Sequence, residues 1–399
     1  MPPLTTPDWK TSPSNTRVIL MRHGQSTYNA EKRHQGSSDN SVLTAKGRMT
    51  AYQTGLLLRE FNINTLYLSP LQRTQETAHE ILAAIATETD QLPTMIADPA
   101  LKEISLPLWE GLPYQVVRDH FAEDYRCWKE RPHEFQMRVD SDPNLPRTGS
   151  LTLTSLTKYH YPVLELYDRV RQFWQEILPH HVGKTLLIVS HAGTNRALIS
   201  TALGMSPNQF HTLQQSNCGI SILQFPTAWN QPAHLDVINS TDHLGDVLPK
   251  LKEGKQGLRL LIVPSNGTDP NRIRALANRL ESIKIDFSLS NDLDCSQPTV
   301  NQLLQSHSNA VQLQVLREDF PQAWQQMLMS RRTQPPTVEA SENQLLTALV
   351  VVREAIALRM LSQLLDVQPQ HLHLIPDTLS VIHYPQTLNT PVLQAMNVG

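Results

Sequence analysis

The chain has 399 residues, with 34 Lys plus Arg against 37 Asp plus Glu, a formal net charge of −3, and 40% hydrophobic and 18% charged residues. That is a soluble globular composition, long enough for two or three domains. It lacks the basic excess that nucleic acid or an anionic membrane surface would demand, its most apolar run, Leu345–Val352, is far too short for a bilayer span, and its three cysteines, Cys127, Cys218 and Cys295, have no metal-ligand spacing.

In chain order, residues 1–16 are polar and proline-bearing and read as a tail, with no basic–apolar–small pattern of a secretory signal, so a cytoplasmic location is expected. Val18-Ile-Leu-Met21 is an apolar run that stops at Arg22-His23-Gly24, as a buried parallel strand does where it feeds a loop. A polar loop with Asn29, Gln35 and Gly36 follows, then a helix over about Thr44 to Phe61 and a second strand from Thr65 to Ser69. Arg73 falls in the first turn of the next helix, within Leu68-Ser-Pro-Leu-Gln-Arg-Thr-Gln-Glu-Thr-Ala78. Leu101-Lys-Glu103-Ile104 and Trp109-Glu-Gly111 come next, and residues 106–147, rich in Pro, aromatic and charged side chains, read as a lid. Lys184–Ser190 is a third strand, ending at His191-Ala-Gly193 before a helix around Asn195 to Leu203. Strands alternating with helices predict a three-layer α/β/α fold on a mostly parallel sheet, whose ligands sit beyond the carboxyl ends of the strands. His23 and His191 are both at that address.

The chain also repeats itself. Arg17–His23 aligns with Arg259–Ser265, Thr185–His191 with Thr347–Arg353, Leu203–Pro207 with Leu365–Pro369, and Ile220–Pro226 with Leu379–Pro385. The expected organisation is therefore a tail (1–16), a first copy (17–245), a charged, glycine-bearing linker (246–257) and a second copy (258–399). The second copy carries Pro264 and Ser265 where the first has Arg22 and His23, and Arg353 where the first has His191. It keeps the scaffold and loses the polar cluster, so it is expected to do no chemistry and to pack on the first copy or mediate a homodimer.

Each polar residue is modest evidence alone. A histidine after a buried strand is ordinarily a packing residue, and a lone arginine or glutamate ordinarily sits in solvent. Arg22-His23-Gly24 is stronger, because the arginine can neutralise an anion that the glycine lets the backbone approach. Arg73 at a helix N-terminus adds free backbone N–H groups to its guanidinium. Glu103 suits general acid work. Two histidines, two arginines and a glutamate on the binding edge of one sheet are hard to explain as packing.

This ordered set, Arg22-His23-Gly24, Arg73, Glu103 and Ser190-His191-Ala192-Gly193, resembles the histidine phosphatase superfamily, the phosphoglycerate-mutase-like proteins, over roughly residues 17 to 245. The resemblance implies phosphoryl transfer without metal or cofactor through a phosphohistidine on His23. It implies that Arg22, Arg73 and His191, with Asn29, bind the phosphoryl group, and that Glu103 protonates the leaving oxygen and later activates water. The nucleophile needs one ring nitrogen unprotonated, so the other requires an acceptor such as a backbone carbonyl.

Gln35–Asp39 with Ser41–Thr44, Tyr125–Lys129, His160–Val163 with Glu165-Leu166, and Leu213–Gly219 look like the 2-carboxy-D-arabinitol-1-phosphatase branch. Many other members carry Gly-Glu-Ser where this chain has His160-Tyr161-Pro162. The implied substrate is a small phosphorylated sugar acid or carboxylate, with Gln35, Gly36, Arg126, Lys129 and His160 as candidate contacts. Phosphoserine phosphatase, phosphoglycerate mutase and a non-catalytic phosphometabolite sensor are the alternatives.

Overall fold

The computed structural model describes residues 15–89, 91–139, 158–226, 231–265, 269–291, 296–315, 345–386 and 390–399. Most of the expected tail, the end of the expected lid and Cys295 lie outside the described residues. The chain forms two compact units, 6–211 with 225–232, and 212–224 with 233–399.

The first unit runs β1 (Thr16–Arg22), α1 (Thr27–Ala30), α2 (Ala45–Leu58), β2 (Thr65–Leu68), α3 (Gln72–Ile85), β3 (Thr94–Ala97), α4 (Tyr114–His120), α5 (Ala122–Glu130), β4 (Met137–Val139), β5 (Lys158–His160), α6 (Pro162–Ile177), β6 (Thr185–Ser190) and α7 (Ala192–Leu203). Its main sheet has the order β3-β2-β6-β1, with every pair parallel. Val18, Ile19, Leu20 and Met21 point to alternate faces of β1, yet all four are fully buried. Both faces are therefore covered, which makes the unit three layers, with α2 against α3 and α6 against α7. The β1–β6 register places Arg22 opposite Ser190, so His23 and His191 leave the sheet at the same level.

Helix starts differ from the sequence reading where side chains cap the first N–H groups, one from the adjacent residue and one from a distant loop. Thr44 lies outside α2 and caps it, its Oγ1 accepting from Gly47 N at 3.0 Å. Helix α7 begins at Ala192, directly after His191, because a carboxylate from another loop satisfies its first N–H groups, as described below.

The second unit holds β7 (Ile220–Phe225, less its last residue), β8 (His234–Ser240), β9 (Gly257–Pro264), α8 (Pro270–Leu280), β10 (Phe287–Asn291), α9 (Ser296–Leu303), β11 (Val311–Val315), β12 (Leu345–Val352), α10 (Glu354–Leu365), β13 (Leu379–Pro385) and β14 (Val392–Val398). Its strand order β11-β10-β12-β9, all parallel, repeats β3-β2-β6-β1. The antiparallel pair β13–β14 repeats the antiparallel pair β7–β8.

The repetition extends to register and backbone detail. Arg17 pairs with Thr185 in the first parallel pair, and Arg259 with Thr347 in its counterpart, the same residues that align in sequence. Cys218 and Asp377 both take positive φ (56° and 59°), as do Asn239 and Asn397 (52° and 55°). Asn239 Nδ2 donates to Gln394 O at 2.7 Å, and Asn397 Nδ2 donates to Asp236 O at 2.6 Å, a reciprocal exchange between β8 and β14. That exchange and the β8–β14 pairing explain why residues 212–224 and 233–245 pack with the C-terminal unit, although the sequence repeat places them in the first copy. The expected linker is likewise held, with Arg279 Nε donating to Val247 O at 2.9 Å and Arg259 donating to Pro249 O.

Candidate active site

His23 is 1% exposed, and its N–H continues the ladder to Ser190 O at 2.9 Å. Its Nδ1 lies 2.7 Å from Gly24 O. A carbonyl only accepts, so Nδ1 carries the proton and Nε2 keeps its lone pair. Burial, then the adjacent Arg22 and Arg73 guanidiniums, hold the His23 pKa well below the ordinary 6.5. Gly24 has a local reason to be glycine: a Cβ there would stand 2.5 Å from Gly47 O at the start of α2.

Arg73, in the first turn of α3, is fully buried. It donates from Nη1 to Ser38 O (2.9 Å), from Nη2 to Gly36 O (3.0 Å) and from Nε to His191 Nδ1 (3.3 Å). Burial brings its pKa down to about 10, against the pull of Glu103 and Asp39, so it stays cationic at neutral pH. His191 is fully buried, with Nε2 at 2.8 Å from Ser69 Oγ and its ring centroid 5.2 Å from that of His23. Burial, then Arg73, keeps His191 well below 6.5.

Glu103 lies across the N-terminus of α7. Its Oε2 accepts from Gly193 N at 3.1 Å, and its Oε1 accepts from Thr194 N at 3.0 Å and Ile104 N at 2.9 Å. A Cβ on Gly193 would meet Glu103 Oε1 at 2.6 Å. Gly193→Ala is therefore expected to displace this carboxylate and lower kcat by about 10-fold or more at little cost to folding, checked by steady-state kinetics beside a thermal melt.

The loop that aims Arg73 is fastened to the lid region. Glu110 Oε1 accepts from Ser37 N at 2.7 Å, between the two carbonyls that hold the guanidinium. The His34 ring packs against Trp109 (5.5 Å) and Tyr114 (4.7 Å), and Tyr114 bonds to the Asn29 side chain. Asn29 also closes the capping box of α1 with Ser26.

The structure thus brings Arg22, His23, Arg73, Glu103 and His191 together at the carboxyl ends of β1 and β6 and the loops beside them. Gly36 reaches the cluster through its carbonyl. Gln35 Oε1 accepts from Ser26 Oγ at 2.9 Å, buttressing α1. Lys129 on α5 is half-buried, and its charge depresses the pKa of His34, after burial, to about 4. His160 on β5 turns Nδ1 toward Glu165 Oε2 at 3.4 Å. Arg126 is exposed on α5, and none of the described contacts ties it to the cluster. Among the described residues, no three His, Cys, Asp or Glu side chains are grouped to hold a metal ion, and no helix is long and apolar enough to cross a membrane.

Sequence reading missed Ser69, Thr194, Tyr114 and Arg169, and left Glu110 without a role. The first two are ordinary residue types at strand and helix ends and give no signal of their own. Arg169 did give one: it lies three residues after Leu166 and four before Phe173, at the edge of the buried stripe of α6.

Residues 18–144 and 154–235 match the sequence profile of the histidine phosphatase superfamily (branch 1). The chain belongs to that superfamily. It is 34% identical over 275 residues to a probable 2-carboxy-D-arabinitol-1-phosphatase of Arabidopsis thaliana, covering 68% of this chain and 51% of that protein. It is 38% identical over 209 residues to the 2-carboxy-D-arabinitol-1-phosphatase of Triticum aestivum, covering 52% of this chain and 37% of that protein. The chain therefore spans about half or less of these two relatives. It is 28% identical over 230 residues to phosphoserine phosphatase 1 of Hydrogenobacter thermophilus, covering 58% of this chain and 95% of that enzyme.

Proposed function

We propose that the chain is a phosphomonoesterase that hydrolyses a small phosphorylated sugar acid, of the 2-carboxy-D-arabinitol 1-phosphate type, through a phosphohistidine on His23. The observation that carries this reading is the His23 tautomer: Nδ1–H is committed to the Gly24 carbonyl, which puts the lone pair on Nε2, in a ring that has Arg22, Arg73 and His191 as neighbours.

In this reading Arg22 and Arg73 take non-bridging phosphoryl oxygens, with Asn29 beside them, and His191 takes another by turning its Nε2–H from Ser69 Oγ to the phosphoryl group. His23 Nε2 attacks phosphorus, the ester P–O bond breaks, and Glu103 gives a proton to the leaving oxygen. Water then attacks the phosphohistidine and gives its proton back to Glu103, and the P–N electron pair returns to Nε2. The transition-state charge is spread over the non-bridging oxygens, so fixed guanidiniums supply most of the acceleration. The second copy is read as non-catalytic. Its first strand, β9, ends at Pro264, and Ser265, at the position that His23 holds in the first copy, pairs its hydroxyl with Thr299 at 2.8 Å.

The test is phosphate release in chelator from 2-carboxyarabinitol 1-phosphate, phosphoserine, 3-phosphoglycerate, 2,3-bisphosphoglycerate and several sugar phosphates. Preferred turnover of the first is the expected result. Preferred turnover of phosphoserine instead would support the second reading, which the similarity across nearly the whole Hydrogenobacter enzyme favours. No turnover of any ester would sink both.

A further inference from the structure

The loop that carries Glu103 has no ladder of its own. Residues 102–105 belong to neither helix nor strand, so side chains from elsewhere must set the direction of the carboxylate. Three consecutive carbonyls are claimed in this way. Ser190 Oγ donates to Leu101 O at 2.9 Å, and Thr194 Oγ1 donates to Lys102 O at 2.7 Å. From the opposite side, Arg169 Nη2 donates to the same Lys102 O at 2.5 Å and reaches Glu103 O at 3.5 Å.

Arg169 stands half-buried at the edge of the apolar stripe of α6, where a guanidinium is costly unless it is paired. Burial lowers its pKa, and the Glu103 and Glu165 carboxylates pull it back, which places the charge near both. Its guanidinium is used on the backbone at Glu103, leaving the carboxylate to α7.

The two carboxylate oxygens are unequally occupied. Oε1 takes Ile104 N (2.9 Å) and Thr194 N (3.0 Å), while Thr194 Oγ1, 3.3 Å away, spends its single proton on Lys102 O. Oε2 takes Gly193 N (3.1 Å). Two N–H donors fill the two acceptor sites of Oε1, whereas Oε2 still has a site to use among the described contacts.

We propose that Arg169 is a positioning residue for Glu103, and that the proton given to the leaving oxygen travels from Oε2. The inference rests on the phosphatase reading above. A misdirected Glu103 costs most where the leaving group needs a proton. An alkoxide does, whereas a nitrophenolate leaves without one.

The test compares the full-length wild type with Arg169→Met, Arg169→Lys and Glu103→Gln on two substrates. One is the best alkyl phosphate of the panel, and the other is p-nitrophenyl phosphate, followed as the pre-steady-state burst of nitrophenolate. Arg169→Met should lose about 100-fold in kcat/KM on the alkyl ester and stay within about threefold on the burst. Glu103→Gln should show the same split, and Arg169→Lys should recover about tenfold of the loss, since an ammonium can still donate to one carbonyl. A parallel loss on both substrates marks a general defect and overturns the proposal, as does no loss on either. Where Arg169→Met does not fold, the same comparison is read from Arg169→Lys, which overturns the proposal if its losses are parallel or absent. A wild type inactive on every substrate overturns the phosphatase reading itself, and this inference with it.

Discussion

His23→Ala should lower kcat by about 10⁴-fold or more and leave no acid-labile phosphoenzyme when the protein is quenched in mid-turnover. The size follows from the geometry. The backbone of His23 is part of the β1–β6 ladder, and its ring is fixed by one carbonyl, so no neighbouring group can take its place. His191 is the other imidazole near the phosphoryl position, but Ser69 holds one of its nitrogens and Arg73 faces the other. The variant should keep its fold, since Val18 to Met21 anchor β1 independently of the ring. Label retained at full level in the variant would show that another residue is the nucleophile.

Acid should unfold the first unit steeply. His23, His191 and His211 are all buried and all held well below 6.5, in each case chiefly by burial. For His211 the charges of Lys129 and Arg196 add to burial, and the Trp128 carbonyl, 2.8 Å from Nε2, opposes them. The folded state keeps these rings neutral, whereas the unfolded chain protonates them near pH 6.5. Their stabilisation is complete above that pH and is lost as the pH falls below it. Each ring contributes a slope of about 1.4 kcal/mol per pH unit, or about 4 kcal/mol per unit for the three together. Urea midpoints measured from pH 7.5 to 4.5 should fall along that limb. His211→Gln, which can still donate to Trp128 O, should remove one ring's share of the slope, about 1.4 kcal/mol per pH unit. A midpoint independent of pH over this range would mean that the rings titrate normally in the folded protein.

The same burial bears on catalysis. A neutral His23 below pH 6.5 keeps Nε2 nucleophilic, so the acid limb of kcat/KM that reports this ring lies well below that value.

Much of this protein can be read from the residue string. Apolar runs bounded by Arg-His-Gly and Ser-His-Ala-Gly locate two parallel strands, because strands buried on both faces must be apolar throughout. The repeat is legible for the same reason: Arg17 and Thr185 pair in one copy as Arg259 and Thr347 pair in the other. The order Arg22, His23, Arg73, Glu103, His191 carries the family: Arg22 ends a strand, His23 and His191 follow strands, Arg73 occupies a helix start, and Glu103 lies in a loop that the fold brings to the same edge.

Other features depend on contacts between distant parts of the chain. The packing boundary falls at residue 211, well before the repeat boundary, because Asn239 and Asn397 trade backbone contacts between β8 and β14. The start of α7 is set by Glu103, from a loop almost ninety residues earlier. The direction of the Arg73 guanidinium is set by the carbonyls of Gly36 and Ser38, on either side of Ser37, whose N–H donates to the Glu110 carboxylate.

The sequence by itself determined which side chains can do chemistry and which strand ends they leave from, since periodicity and residue type are local properties of the chain. Only the tertiary structure decided which nitrogen of His23 carries the proton, which backbone N–H groups each oxygen of Glu103 takes, and that Arg169 donates to the carbonyls beside it. Those are hydrogen-bond directions between groups far apart in the chain, and they exist only once the fold has closed.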